Sequence, residues 1–133
     1  MLQMLVPMEK RSVNINMAFE IVKLGTDKYT EVLADANKSY NCSPNFAVRV
    51  KTTGKILADI HFQDGPVKEK GLNGVAHEDL IVMVMHRLNQ LQESEYACKE
   101  TADAVKHLQE ALDSLRARTN KRAQRGVEGT SIK

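Results

Sequence analysis

Two stretches in the second half of the chain, residues 76–92 and 96–125, repeat apolar side chains at helical spacing on either side of a short break at Glu93–Glu95. A helix with one apolar stripe has to bury it, and a break of three residues leaves the second helix no choice but to fold back along the first. An antiparallel two-helix hairpin is therefore the expected frame. In the first helix Leu80, Val84, Leu88 and Leu91 follow one another at helical spacing, with Ile81 and Met85 widening the stripe. In the second, with Ser94 as N-cap, Ala97, Thr101, Ala104, Val105, Leu108, Ala111, Leu112 and Leu115 trace a continuous face. At about 30 residues, or ~45 Å, the second helix outruns its partner. That unmatched length and the second apolar face around Val82, Met83 and Val84 predict burial against further copies of the chain.

Ahead of the hairpin the period changes from helical to two. Val13, Ile15, Met17, Phe19 and Ile21 share one face of a strand running from Val13 to Leu24, with a turn at Gly25–Lys28. Phe46–Lys51 and Ile56–Phe62 alternate with apolar residues at even positions, and Thr52–Thr53–Gly54–Lys55 joins them as a hairpin turn. Residues 29–36 fit a short strand or a helical turn; 37–45 and the glycine-rich 63–74 read as loops. The expectation is an α+β chain of one domain: a small N-terminal antiparallel β-layer over 12–64, then the helical hairpin and a C-terminal tail over 75–130, the helices being the available cover for the apolar face of the sheet. Helix one should start after Asn73–Gly74, where Glu78 and Asp79 meet the exposed amides of its first turn.

Composition excludes several classes. With 42% hydrophobic and 27% charged residues the chain has the balance of a soluble globular protein. No stretch approaches the ~20 apolar residues that cross a bilayer, and the apolar opening, Met1 to Met8, is too short for a secretory leader. Cys42 and Cys98 have no metal or redox spacing, which implies reduced thiols. The four histidines and their neighbours lack metal-ligand spacing, and no nucleophilic or acid–base set can be argued, so no metal, cofactor or catalytic residue is expected.

The net charge of +2 conceals a strong asymmetry. Arg116, Arg118, Lys121, Arg122 and Arg125 follow one another with no acidic residue between them, and taking those five away leaves −3 for the rest of the chain. Cations at a helix C-terminus are ordinarily a solvated cap that opposes the dipole. Here Arg118 and Arg122 are also four apart, with Arg125 three further on, so one anion can meet two guanidinium forks. The tail Gly126–Val127–Glu128–Gly129–Thr130 has glycines that let amides turn toward a phosphate, and a hydroxyl to donate to it.

The ordered set Phe62–Gln63–Asp64–Gly65–Pro66, Glu69, Gly71, Asn73–Gly74–Val75, Glu78–Asp79–Leu80, Arg87–Leu88, Tyr96–Ala97–Cys98–Lys99–Glu100, Arg118–Thr119, Arg122 and Arg125–Gly126–Val127–Glu128–Gly129–Thr130 resembles the phage Acb/Tad hairpin family. These proteins are sponges that counter cyclic-oligonucleotide (CBASS) and Thoeris immunity, and the N-terminal sheet resembles the Thoeris anti-defence branch. The match covers most of residues 62–130. The resemblance implies a non-enzymatic protein in the cytoplasm of the infected bacterial host that sequesters cyclic ADP-ribose isomers such as gcADPR, with a second kind of pocket for cyclic di- or trinucleotides. It also implies homo-oligomers, from a dimer up to a hexamer. By that resemblance Arg118 and Arg122 clamp the phosphates of the ADP-ribose ligand, and Gly129 and Thr130 belong to the cyclic oligonucleotide pocket where protomers meet. Arg87, Arg125, Gly65, Pro66 and Asn73 complete the expected ligand-binding set. The chain departs from the family in having Leu91 for an aromatic, Thr101 for asparagine, Lys99 for arginine and Tyr96 for phenylalanine. Leu91 cannot stack on adenine, Thr101 offers fewer hydrogen bonds, Lys99 lacks the bidentate fork, and Tyr96 can supply stacking. The competing reading is a small nucleic-acid-binding protein using the basic end of helix two on a phosphate backbone.

Overall fold

The computed structural model describes residues 21–24 and 28–133. The first expected strand lies outside the described residues except for its last four, and so does most of the turn at 25–28. The architecture is α+β, with elements β1 (Ile21–Leu24), β2 (Thr30–Asp35), β3 (Asn45–Val50), β4 (Ile56–His61), α1 (Val67–Lys70), α2 (His77–Gln92) and α3 (Lys99–Gln124). Two compact units are formed: one runs to Gly65 and includes Leu72–Gly74, and the other comprises Pro66–Gly71 and Val75–Lys133.

The first unit is a four-stranded antiparallel meander in the order β1-β2-β3-β4. Residues 29–36, ambiguous by pattern, supply a full strand, β2, because they are paired on both sides: Leu33 faces Lys23 of β1 and Ala47 of β3. The turn at Gly54 has the positive φ of 73° that glycine adopts without strain. A bulge at Val48/Arg49 moves the register so that Arg49 stands opposite Ile56. That shift corrects the simple even-position alternation. Ile56 joins the side of the sheet that carries Leu33 and Ala47, and these three form the buried cluster, Leu33 being only 1% exposed. The even-numbered residues Val32, Phe46, Val48, Ala58 and Ile60 are half-buried. Phe46 meets Phe62 edge to face, ring centres 5.3 Å apart.

Between β2 and β3 the loop turns on Asp35. Its buried carboxylate accepts from the Asn37 amide (2.9 Å) and Asn45 Nδ2 (3.3 Å), and its carbonyl accepts from the Ser43 hydroxyl (2.6 Å). Tyr40 and Asn41 both take positive φ, closing a tight turn bridged by Ser39 and Cys42. On the same strand Glu31 Oε1 meets Arg49 Nε at 2.6 Å.

The second unit is the antiparallel hairpin of α2 and α3. Asp79, at the third helical position of α2, accepts the Ala76 amide at 2.8 Å and so caps the helix start. Glu78, Leu80, Ile81, Met85, Leu88 and Gln92 are the half-buried residues of α2; Val84 and Leu91, expected in the seam, are exposed. On α3 the seam runs through Ala104, Val105, Leu108 and Leu112, the last 3% exposed, and continues through Leu115 and Thr119 to Arg122. Ser94 does not cap α3. Its hydroxyl donates to the Leu91 carbonyl (2.6 Å) in the turn after α2, and Cys98 is the N-cap, so the second helix begins three residues later than its apolar pattern. Gln92 makes that turn rigid: Nε2 donates to the Cys98 carbonyl and Oε1 accepts the Cys98 amide, both at 3.1 Å. The loop expected over 63–74 contains the one-turn helix α1, started by Pro66, whose fixed φ of −65° suits a helix entry. Among the described residues no helix is long and apolar enough to cross a membrane.

Candidate ligand site on the helical hairpin

At the far end of α3 the chain stops its helix in a Schellman motif. The Gly126 amide donates to the Ala123 carbonyl and the Val127 amide to that of Arg122, both at 3.0 Å, with Gly126 at φ 74°. Val127 is thereby turned inward and is 8% exposed. The tail then folds back across the end of α3. Arg122 Nη2 donates to the carbonyls of Val127 (3.1 Å), Thr130 (3.0 Å) and Ile132 (2.9 Å), and Arg125 Nη2 donates to that of Lys133.

The basic end is thus divided. The Arg118 side chain is exposed and makes no hydrogen bond, whereas one nitrogen of Arg122 is already bonded to the tail and its Nε and Nη1 remain open, among the described residues. The two arginines are four apart and neighbours on the helix surface, as expected. Thr130 departs from the simple picture of a hydroxyl held out to a phosphate. Its Oγ1 donates to the Val127 carbonyl at 2.5 Å and accepts the Ile132 amide at 3.3 Å, so the hydroxyl closes the tail turn on itself. Gly129 sits at φ 77°, and a Cβ there would lie 2.9 Å from Lys68 Cγ, because the Gly129 carbonyl accepts the Lys68 amide at 2.8 Å. Glu69 completes the contact between α1 and the tail: its Oε2 accepts both the Ser131 amide (2.8 Å) and hydroxyl (3.1 Å).

The other expected ligand residues of this unit gather at the opposite end of the hairpin. Leu91 is exposed near the end of α2, in line with Val84 and Arg87 at spacings of three and four. Tyr96 stands in the interhelix turn, 70% exposed. Lys99 Nζ pairs with Asp103 at 2.6 Å on the solvent side of α3. Thr101 Oγ1 lies 3.2 Å from Cys98 Sγ, and that hydrogen bond lowers the Cys98 thiol below its ordinary range. Thr101 and Arg118 are separated by about 26 Å of helix at 1.5 Å per residue. One chain therefore does not bring the stacking end and the basic end together.

Pro66 starts α1, while Gly65 and Asn73 belong to the sheet unit. There Asn73 acts as a piece of backbone. Its Oδ1 accepts the Asp64 amide, its Nδ2 donates to the Asp64 carbonyl, both at 2.8 Å, and its own amide reaches Gln63 Oε1 at 3.0 Å. Gln63 in turn donates to the Gly65 carbonyl at 3.0 Å. Gly74 is required by close approach, since a Cβ would fall 2.5 Å from the Phe62 carbonyl. The sequence patterns carried no sign of Gln92, Ser131 or the Asn73 clasp: Gln92 and Asn73 are side chains imitating a peptide group across a turn, and Ser131 meets a carboxylate 62 residues away. Glu69 stood within the family motif, but without a role.

Residues 54–119 match the family model described as Acb2/Tad1, hairpin domain. The match opens at the β3–β4 turn and closes just past Arg118, so the tail lies beyond it. A curated relative, "Thoeris anti-defense 1" of Bacillus phage SBSphiJ7, is 44% identical over 126 residues, spanning 94% of this chain and 85% of the relative. With that identity running through sheet and hairpin, the chain belongs to the Acb2/Tad1 hairpin family.

Proposed function

We propose that this protein is a phage anti-defence sponge, which binds cyclic ADP-ribose isomers made by bacterial Thoeris immunity and holds them without cleaving them in the cytoplasm of the infected host. The relative bearing the Thoeris anti-defence name motivates the biological role. The observation that carries the site is the separation of the two groups on the hairpin. A single dinucleotide cannot touch both Thr101 and Arg118 on a helix that holds them ~26 Å apart. Two hairpins laid antiparallel bring the turn of one copy to the basic end of the other, and the exposed Val82, Met83, Val84 and Leu91 supply the apolar surface for that contact.

In this arrangement Arg118 and the open Nε and Nη1 of Arg122 take the diphosphate, each charge-assisted contact being worth roughly 1.5–3 kcal/mol. Tyr96 of the other copy supplies a ring for a base, Leu91 an apolar wall, and Thr101 and Lys99 polar contacts. Cyclic di- and trinucleotides are the second ligand class, held near Gly129 and Thr130 where copies meet in a higher oligomer such as a hexamer.

The test is recovery. Protein loaded with a cyclic ADP-ribose isomer and then heat-denatured should return the ligand chemically intact by chromatography; a hydrolysed product moves the protein to the enzymes. Titration calorimetry should show loss of isomer binding in Arg118→Ala with folding retained. Salt-sensitive binding of arbitrary DNA with no response to cyclic nucleotides would instead identify a nucleic-acid-binding module.

A further inference from the structure

The contact between α1 and the tail joins residues that are 62 apart in sequence. Three bonds make it: the Lys68 amide to the Gly129 carbonyl, and the Ser131 amide and hydroxyl to Glu69 Oε2. On the other side of the same tail, Arg122 draws three carbonyls toward one nitrogen. The turn at Gly129–Thr130 is thus held between an anion that collects its N–H and O–H donors and a cation that collects its C=O acceptors. Glu69 is exposed and does no packing that would explain it as a core residue.

We infer that Glu69 is a positioning residue for the Gly129–Thr130 part of the ligand site, acting through Ser131 and never touching the ligand. The inference rests on the functional reading above and adds a residue to it. A carboxylate that binds both donors of Ser131 fixes the direction of the chain at Thr130, and with it the peptide groups and glycine surface that a ligand would meet. Without the Glu69 carboxylate the tail keeps its Arg122 bonds and the Lys68–Gly129 backbone bond but loses both bonds at Ser131, so the chain beyond Gly129 is no longer fixed in direction. Ligands gripped by Arg118 on the helix itself do not depend on that direction.

Three variants are compared with the wild-type full chain: Glu69→Ala, Glu69→Gln and Gly129→Ala. Amide hydrogen exchange at residues 129–132 is followed alongside calorimetric titration with a cyclic ADP-ribose isomer and a cyclic trinucleotide. Glu69→Ala should raise exchange at Ser131 and weaken, by about tenfold or more, whichever ligand Gly129→Ala weakens, the loss expected for a charge-assisted hydrogen bond. Glu69→Gln, which keeps a neutral acceptor, should fall between Glu69→Ala and wild type. Binding that depends on Arg118 alone should stay within about threefold of wild type, under 1 kcal/mol. Unchanged exchange at Ser131 overturns the clasp. Raised exchange with unchanged affinity for every ligand leaves Glu69 merely structural and overturns its positioning role, as does a panel in which no ligand responds to Gly129→Ala and Glu69→Ala together. If wild type binds neither probe, the sponge reading falls and the positioning role with it, while the exchange data still decide whether the clasp exists.

Discussion

Gly126 and Gly129 share a left-handed backbone for different local reasons. Gly126 closes a helix with open space beyond its Cα, so Gly126→Ala meets only the left-handed penalty of about 1–2 kcal/mol. Gly129 faces Lys68 as well, so Gly129→Ala should lower the thermal midpoint at least as much and loosen the tail in addition, which tail amide exchange would report. Glu31 illustrates a second residue-scale effect. The hydrogen bond from Arg49 holds its carboxyl below the ordinary value; partial burial opposes this, and the positive charges of Arg49, Lys23 and Lys51 add to it. A carboxyl lowered by folding contributes stability above its unfolded pKa and loses that contribution as pH falls through the lowered folded value. Urea midpoints measured between pH 7 and pH 3 should therefore show a shallower acid loss in Glu31→Gln than in wild type, with a lower midpoint at pH 7.

Among the elements, the hairpin helices were legible to within a few residues because their apolar period is long and strong. Their ends were not, since ends are decided by capping. Ser94 has the side chain of an N-cap, yet the Gln92 clasp places Cys98 there instead. The arginine cluster was visible as charge pattern, but the division between an open Arg118 and a tail-bound Arg122 depends on where the tail folds, which no spacing encodes. Strand β2 hid because Leu33, Ala34 and Asp35, consecutive residues on alternate faces, are all buried, so alternation fades, and the β3 bulge reversed the inward side of Ile56. Two variants test the turn. Gln92→Ala should cost about 1–2 kcal/mol by leaving two Cys98 peptide groups without their side-chain partners, read by chemical denaturation. Thr101→Val removes the hydroxyl that favours the Cys98 thiolate, so iodoacetamide should alkylate Cys98 more slowly in that variant at pH 7.5.

At the scale of the whole molecule, the proposed function calls for more than one copy. Met83 is 57% exposed and Val84 lies beside it, on a helix whose partner covers only one side. Light scattering should give a mass above the monomer's 14.9 kDa, and Val84→Asp should return the protein to monomers and abolish isomer binding while leaving the helical circular dichroism unchanged. Binding should also weaken on dilution, since a site shared between copies is lost when they separate.

The bridge from Glu69 to Ser131 also sets an order of events during synthesis. A nascent chain elongating at roughly 5–20 residues per second carries Glu69 for about 3–12 s before Ser131 has been made. Sheet and first hairpin helix can form on the ribosome in that interval, but the turn at Gly129–Thr130 cannot be clasped until Ser131 has been made. On the sponge reading proposed above, a ligand that needs the clasped turn is held only by chains that have passed Ser131.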